Sequence, residues 1–114
     1  MDSFVVKNDV AEALADGHPV VALESTLISH GLPAPHNLQA AQKAESVIRA
    51  GGAVPATIAV IDGQVRVGLS TSELERLADT DAPWKLSRDN LATAISQNAI
   101  GGTTVAATMI CAYR

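Results

Sequence analysis

The segment Pro19–His36 changes from apolar to polar within one position, and this change limits what the chain can fold into. Val20–Leu23 is a short apolar run after a proline, which is typical of a fully buried strand. Glu24, Ser25 and Thr26 follow at once, and a glycine and two prolines then impose a loop. Because ligands of open α/β sheets bind outside the carboxyl ends of the strands, these polar residues form a candidate site.

Glu24 is the candidate acid or base of this site. A carboxyl group beside an apolar strand is partly desolvated, which favours the protonated form that a general acid uses near neutral pH. The alternative is a structural carboxylate that caps the loop or accepts backbone N–H bonds. The pattern of residues leaves both roles open.

The rest of the chain alternates between strand and helix patterns. This alternation predicts a layered α/β/α fold with a mixed, mostly parallel sheet. Met1–Asp9 is predicted to be a short arm, with Asp9 capping a brief helix that Gly17 ends. A second helix is expected from Asn37 to the glycine pair at 51–52.

The middle of the chain carries two local signals with a clear mechanism. A strand is expected after Pro55, and Asp62-Gly63 then predicts a tight hairpin with a half-buried return strand. Ser70 and Glu73 have the spacing of a capping box, which predicts a short amphipathic helix. The segment Trp84–Leu86 is too short to assign.

The last part of the chain is predicted to be helical. One helix is expected to begin at Ser87 or Asp89 and to end at the glycine pair 101–102. The next segment, 102–112, mixes strand and helix formers, but two glycines followed by two threonines favour a helix start. The free N–H groups of such a start can bind an anion or a carbonyl.

Charge and composition exclude several classes of function. The net charge of −4 argues against binding nucleic acid or an anionic membrane through a basic patch. No apolar stretch reaches the ~18 residues of a membrane span, and a secretory signal is not expected at the amino terminus. Cys111 is the only cysteine, so we expect no intrachain disulfide, a reduced cytoplasmic compartment and a packing role for this thiol.

The balance of apolar and charged residues suggests a partner. Hydrophobic residues make up 47% of the chain and charged residues 18%, whereas a typical soluble domain carries about 25% charged residues. So little polar surface is expected when a chain packs against another subunit or belongs to a larger body. Residues 1–114 are therefore predicted to form a single partial domain.

Several sequence words resemble the pseudouridine-5′-phosphate glycosidases, also called the indigoidine-synthase-A-like family. The first is Val-Ala-Leu-Glu-Ser-Thr-Leu-Ile-Ser-His-Gly-Leu-Pro at Val21–Pro33. Further words lie at 52–59, 67–70, 85–89 and 102–106. Separate words in register are a stronger signal than any single motif. Family members are longer than this chain.

The resemblance implies the reversible cleavage of the C–C glycosidic bond of pseudouridine 5′-phosphate to uracil and ribose 5-phosphate. In this register Glu24 matches the family's proton donor, with Ser25 and Thr26 able to hydrogen-bond it. Lys85 and Val105 match residues that contact the substrate. The family's Schiff-base lysine and manganese-binding aspartate lie beyond residue 114, so Mn²⁺ is implied without a ligand in this chain. A homotrimer is implied as well.

Other candidate residues have structural explanations. His30 lies in the first word and is expected to be a buried, hydrogen-bonded histidine, while His36 is expected in a loop. Asp79 and Asp81 are expected in a solvated turn rather than a metal site. The alternative for Lys85 is a solvated charge, but its Trp-Lys-Leu-Ser context and the family resemblance favour substrate binding.

Two other functions stay open. The chain could be a non-catalytic remnant or assembly partner of the same fold, or a generic phosphosugar-binding domain. Lys7 lies in the predicted arm and Lys43 on a helix face, so neither is a natural nucleophile. We therefore expect no glycosidase activity from the 114 residues alone.

Overall fold

The computed structural model describes residues 3–113, which form six strands and five helices around a mixed sheet. The strands are β1 Phe4–Val6, β2 Val20–Leu23, β3 Val54–Ile61, β4 Gln64–Val67, β5 Trp84–Leu86 and β6 Gly101–Thr103. The helices are α1 Asn8–Ala15, α2 His36–Ala50, α3 Thr71–Asp79, α4 Leu91–Ser96 and α5 Val105–Tyr113. A π-helical turn covers Leu27–Gly31 between β2 and α2.

The sheet is built around β3. The strand order is β1-β4-β3-β6-β5, and β2 pairs with the amino-terminal half of β3. β3 is antiparallel to both β4 and β6, whereas the pairs β1–β4, β2–β3 and β5–β6 are parallel. The predicted mixed sheet is confirmed.

Helices cover both faces of this sheet. Ala59 and Ile61 of β3 pack with apolar residues of the π-helical turn, α2 and α3. Ile58 and Val60, which alternate with them, pack on the other face against α4 and α5. Burying an isoleucine side chain contributes about 1.5–3 kcal/mol, so these two cores hold the layers together. The predicted α/β/α layering is confirmed.

The two local signals in the middle of the chain are confirmed. Ile61 pairs with Gln64 across a two-residue loop, and Asp62 and Gly63 both have positive φ, 50° and 77°. This is the conformation that a tight hairpin requires and that Asp-Gly favours. The Ser70 hydroxyl accepts from the Glu73 N–H at 3.2 Å, and the Glu73 carboxylate accepts from the Ser70 N–H at 2.8 Å. The capping box therefore starts α3.

The hairpin loop also carries an exposed ion pair that makes stability depend on pH. Arg76 donates to both carboxylate oxygens of Asp62, at 2.8 and 2.7 Å, and this hydrogen bonding lowers the pKa of Asp62 from its ordinary value of 3.8. Because the pKa of Asp62 is lower in the folded state, the ion pair stabilises the fold at pH values above the ordinary pKa. This stabilisation is lost as the pH falls through the folded pKa.

We expect Asp62→Asn to lower the free energy of unfolding slightly at neutral pH, since exposed pairs contribute little. Asparagine tolerates the positive φ, so the turn itself is preserved. Urea unfolding of the variant and the parent should converge by about pH 2, where the carboxyl group is protonated in both states. Asp81→Asn is the control, because Asp81 forms no ion pair within residues 3–113. An equal effect of both substitutions at every pH would contradict the role of the pair.

The predicted amino-terminal arm is wrong for the residues that the structure describes. Phe4–Val6 forms β1, which pairs in parallel with β4. α1 begins at Asn8 after Lys7, so Asp9 does not cap it and instead contacts Lys7 and Arg49. A three-residue strand is stabilised by its partner strand, which the local sequence cannot reveal. Met1 and Asp2 lie outside the described residues.

The start of β3 also differs from the prediction. β3 begins at Val54 and includes Pro55. The Val54 N–H points toward β2, where it donates to the Pro19 carbonyl, so position 55 faces the opposite edge, where β4 pairs only with 58–61. The missing N–H of Pro55 therefore costs no ladder bond.

The glycine pair at 101–102 does not end a helix. α4 begins after Asn90, later than predicted, and ends at Ser96, and Gly101–Thr103 forms β6. A Cβ on Gly101 would lie 2.6 Å from the Trp84 carbonyl oxygen, so this position requires glycine for close packing between β5 and β6.

Among the described residues no helix is long and apolar enough to cross a membrane.

Candidate functional site

Two strand ends meet at the middle of the sheet. β2 runs parallel to β3 and β6 runs antiparallel to it, so the carboxyl ends of β2 and β6 point toward each other. The Ser25 N–H donates to the Thr103 carbonyl at 3.0 Å, and the Thr103 N–H donates to the Ser25 hydroxyl oxygen at 2.8 Å. This junction brings the residue before Ser25, which is Glu24, close to the start of α5.

Glu24 is half-buried directly after β2. Its Oε2 accepts a hydrogen bond from the Thr26 N–H at 3.1 Å. This bond is the structural role that the sequence left open, and it fixes the carboxyl group in the turn. Within the described residues Oε1 of Glu24 takes no hydrogen bond, so this oxygen is available to a ligand. One oxygen thus holds the turn while the other remains open.

The Ser25 side chain does not hold Glu24, contrary to the expectation. Ser25 is completely buried, and its hydroxyl donates to the Ile58 carbonyl at 2.5 Å. Successive side chains of an extended segment point to opposite faces, so the residue next to Glu24 is directed into the sheet. Thr26 contributes to Glu24 through its backbone N–H.

Glu24 lines two clefts. The larger, which we name the Glu24 cleft, has a volume of about 330 Å³ and is lined by Ala22, Leu23, Glu24, Val105, Thr108, Met109 and Ala112. The smaller has about 100 Å³ and is lined by Leu23, Glu24, Leu27, Ile28, Ala41, Ala44 and Thr57. Of these two clefts, the Glu24 cleft alone is as large as the smaller small-molecule sites of proteins, which have volumes of about 300–1,000 Å³.

Val105 lies at the start of α5 and lines the Glu24 cleft. The Thr104 hydroxyl accepts from the Ala107 N–H at 3.3 Å, and the Thr104 carbonyl accepts from the Thr108 N–H at 2.8 Å. The first N–H groups of a helix have no acceptor inside the helix, so the Val105 N–H remains for a ligand. The predicted helix start is confirmed, although β6 occupies the residues before Thr104.

Lys85 does not line the Glu24 cleft. It is exposed on β5, in register with Gly102 of β6. Within the described residues Lys85 forms no ion pair, so its charge is free to meet a ligand. The structure thus brings two of the three predicted site residues to one cleft and leaves the third two strands away from β3.

His30 connects the elements that carry Glu24 and Lys85. Its Nδ1 lies 2.6 Å from the Ser29 hydroxyl, and its Nε2 lies 3.0 Å from the Pro83 carbonyl, just before β5. A carbonyl only accepts, so Nε2 carries a proton. The expected hydrogen bonding is confirmed, but His30 is exposed rather than buried. His36 is the first residue of α2 rather than a loop residue.

The described residues contain no group of three or more His, Cys, Asp or Glu side chains that could hold a metal ion. The residues present therefore do not form a manganese site. Asp79 ends α3, and Asp81 is exposed in the turn that follows. Cys111 is buried in the apolar core beneath α4 and α5, as expected of a packing residue.

A surface groove of about 460 Å³ lies at the other end of the sheet. It is lined by Asp9, Glu12, Ala13, Asp16, His18, Arg49, Gly52, Ala53 and Val54. Three carboxylates face one arginine there, which disfavours an anionic ligand. We therefore take the Glu24 cleft rather than this groove as the candidate site.

Comparison with known proteins decides the family. The sequence profile described as indigoidine synthase A-like protein matches residues 9–114. The chain belongs to this family. Its relatives include two proteins named pseudouridine-5′-phosphate glycosidase. The protein from Jannaschia sp. (strain CCS1) is 57% identical over 104 residues, which are 91% of this chain and 34% of the relative. The protein from Rhodospirillum centenum is 57% identical over 111 residues, which are 97% of this chain and 34% of the relative.

Solved structures of two other proteins have the same fold. The prealnumycin C-glycosynthase AlnA, crystallised with ribulose 5-phosphate, is 40% identical with a TM-score of 0.85, over 97% of this chain and 35% of that one. A Thermotoga maritima protein of the family is 24% identical with a TM-score of 0.81, over 96% of this chain and 36% of that one, and supports the fold alone. The chain spans about a third of the length of the curated relatives it matches.

The structure of this indigoidine synthase A-like chain adds residues that the sequence did not indicate. Thr103 and Thr108 are buried beside Ser25, and their hydroxyl oxygens lie 2.8 Å apart. In the sequence the threonines after Gly102 indicated only a helix start. Thr103 contacts Ser25 across 78 positions of the sequence, so no local signal could have revealed this contact.

Proposed function

We propose that these residues form the amino-terminal third of a pseudouridine-5′-phosphate glycosidase. The enzyme would cleave the C–C glycosidic bond reversibly, giving uracil and ribose 5-phosphate. The names of the relatives support this reaction, and the pentose phosphate bound to AlnA supports the class of substrate. The observation that carries the proposal is that Glu24 and Val105, which the family resemblance matches to the proton donor and a substrate contact, line one cleft.

The leaving group makes this reaction difficult, because it is a ring carbon rather than a nitrogen. In the proposed mechanism a lysine outside these residues bonds to C1′ while the bond from C1′ to the ring oxygen breaks and that oxygen takes up a proton, which opens the sugar. The bond from C1′ to the uracil ring then breaks: its electron pair takes up a proton at the ring carbon, and the lone pair of the lysine nitrogen forms the Schiff base with C1′. Water hydrolyses the Schiff base and releases ribose 5-phosphate. Glu24 supplies and removes protons through Oε1, while Oε2 keeps the carboxyl group in place through Thr26.

Lys85 and Val105 are the proposed substrate contacts. The unpaired ammonium group of Lys85 is suited to an anionic part of the substrate, and the Val105 backbone offers an N–H at a helix start. Lys85 lies on β5 rather than in the Glu24 cleft, so the substrate would have to extend along the carboxyl ends of β6 and β5 to reach it.

The cofactor, assembly and compartment are part of the same proposal. Mn²⁺ would be held by residues outside positions 3–113, and no step above involves it. A homotrimer in the cytoplasm is proposed for the complete enzyme. Its support is an exposed apolar surface, on which Val105, Met109 and Tyr113 of α5 are 64%, 66% and 93% exposed. This surface fits burial against another subunit or against the rest of a longer chain, and the remnant hypothesis predicts it as well.

A chimera tests the proposal. Residues 1–114 replace the matching segment of the Rhodospirillum centenum relative, which supplies the remaining two thirds. With Mn²⁺ present, we expect the chimera to release uracil from pseudouridine 5′-phosphate and the 114 residues alone to release none. The unmodified relative is the positive control.

Three distinct outcomes would contradict the proposal. Uracil release by the 114 residues alone would show that the nucleophilic lysine lies among them. A folded chimera without activity, beside an active relative, would favour the remnant hypothesis. Preference for other sugar phosphates over the uracil nucleotide would favour a general phosphosugar-binding domain.

A further inference from the structure

We propose that Thr103 is a positioning residue that fixes the Glu24 turn relative to the start of α5. This inference rests on the proposed function for its effect on turnover. Its structural part, the coupling of three elements through one buried hydroxyl group, stands on the hydrogen bonds alone. Thr103 is completely buried and does not line the Glu24 cleft, so it acts through its neighbours.

The direction of each hydrogen bond follows from the donors and acceptors available. The Ile58 carbonyl only accepts, and it receives both the Ser25 hydroxyl at 2.5 Å and the Thr103 hydroxyl at 2.7 Å. The single proton of the Thr103 hydroxyl is therefore used. The Thr108 hydroxyl, 2.8 Å away, must donate to the Thr103 oxygen. The chain of bonds runs from Thr108 through Thr103 to Ile58.

This chain of bonds joins four elements of the fold. Ser25 follows β2 and is the neighbour of Glu24, Thr103 ends β6, Thr108 lies in the first turn of α5, and Ile58 belongs to β3. The Ser25 N–H also donates to the Thr103 carbonyl, and the Thr103 N–H donates to the Ser25 hydroxyl oxygen. The Thr103 N–H, the Thr103 hydroxyl and the Thr108 hydroxyl each donate a hydrogen bond in this network. Movement of α5 relative to the Glu24 turn would have to break these bonds.

The network accounts for how Glu24 and Val105 keep a fixed separation. Glu24 is covalently attached to Ser25, and Val105 is two positions after Thr103. A catalytic acid misplaced by about 1 Å can lose 10²-fold in rate, so a rigid junction directly beneath the site matters for turnover. The Thr103 side chain does not line the Glu24 cleft, so loss of its hydroxyl should leave substrate affinity nearly unchanged.

The test compares Thr103→Val and Thr103→Ser in the chimera. Valine keeps the shape and removes the hydroxyl, whereas serine keeps the hydroxyl. We expect Thr103→Val to lower kcat by about 10-fold with KM within about 3-fold, and Thr103→Ser to stay within about 3-fold of the parent in both. Ile61→Val is the control for general destabilisation, because Ile61 is buried in the opposite core. If Thr103→Val does not fold, Thr108→Val removes the donor to Thr103 and is tested by hydrogen exchange alone, because Thr108 also lines the Glu24 cleft.

A second measurement does not depend on activity. Amide hydrogen exchange in the 114-residue chain reports the Ser25 N–H, which is bonded to the Thr103 carbonyl. We expect exchange at Ser25 to be at least about 10-fold faster in Thr103→Val, beyond any change in Ile61→Val. Unchanged kcat, a loss no larger than that of Ile61→Val, or failure of serine to rescue would overturn the positioning role. If the parent chimera is inactive, the proposed function fails, and unchanged exchange at Ser25 would overturn the coupling by itself.

Discussion

Replacing Glu24 by glutamine should lower kcat of the chimera by about 10²-fold or more, the range for loss of a general acid or base. Glutamine has nearly the same shape, and its amide oxygen can still accept the Thr26 N–H that Oε2 accepts now. The turn should therefore survive while the exchangeable carboxyl proton is lost. The measurement is uracil release from pseudouridine 5′-phosphate at saturating substrate, with KM determined in parallel.

The control for this substitution is Glu75→Gln. Glu75 is exposed on α3, so the same chemical change there should alter neither turnover nor stability beyond the ±0.5 kcal/mol usual for surface positions. Near-normal kcat in Glu24→Gln would remove Glu24 from the mechanism and leave it the structural role of holding the turn. A large rise in KM with unchanged kcat would assign Glu24 to substrate binding instead.

The parts of the fold that the sequence predicted are those that local chemistry determines. Asp62-Gly63 adopts a tight turn because both residues tolerate positive φ, and Ser70 and Glu73 satisfy each other's backbone N–H groups. β2 was predictable as a strand, because an apolar run between a proline and polar residues allows few alternatives. The expected full burial is wrong: Val21 and Ala22 are exposed, because the elements within residues 3–113 leave part of this strand uncovered. These signals lie within a few residues of the elements they specify.

The short strands could not be predicted in the same way. β1, β5 and β6 have three residues each, and each is stabilised by pairing with a strand that is distant in the sequence. Gly101 and Gly102 indicated a helix end because glycine usually stops a helix. In the fold they are strand residues whose missing side chains allow other segments to approach closely.

The candidate site was predictable in its identity but not in its arrangement. The position of Glu24 after an apolar strand indicated a site, and the family register added Lys85 and Val105. Which of them share a cleft depends on β2 and β6 meeting at their carboxyl ends, and this follows from pairing with β3. The Ser25 side chain is buried for the same reason, the pairing of β2 and β6 with β3. Its position beside Glu24 in the sequence therefore could not predict its burial.

Gly102→Ala should be the most destabilising single methyl addition at this junction. A Cβ on Gly102 would lie 2.7 Å from the Ser25 carbonyl oxygen and would also collide with the Ser29 hydroxyl oxygen. Ser25 directly follows Glu24, and Ser29 lies in the π-helical turn. Gly102 is buried in β6, so neither the strand nor the turn can move without breaking other contacts. Overpacking of this kind costs typically 1–3 kcal/mol, and we expect about 3 kcal/mol here.

Urea unfolding of the 114-residue chain measures this cost, and Gly51→Ala is the matched control. A Cβ on Gly51 would meet the Ile48 and Val47 carbonyl oxygens at 3.5 and 3.7 Å, which are ordinary contact distances. That substitution should change the free energy of unfolding by no more than about 1 kcal/mol, in either direction. Equal effects of the two alanines would mean that β6 and the Glu24 turn are not packed as closely as their atoms indicate. A large effect of Gly102→Ala alone, with kcat of the chimera reduced in parallel, would show that the same contact supports both the fold and the position of the carboxyl group.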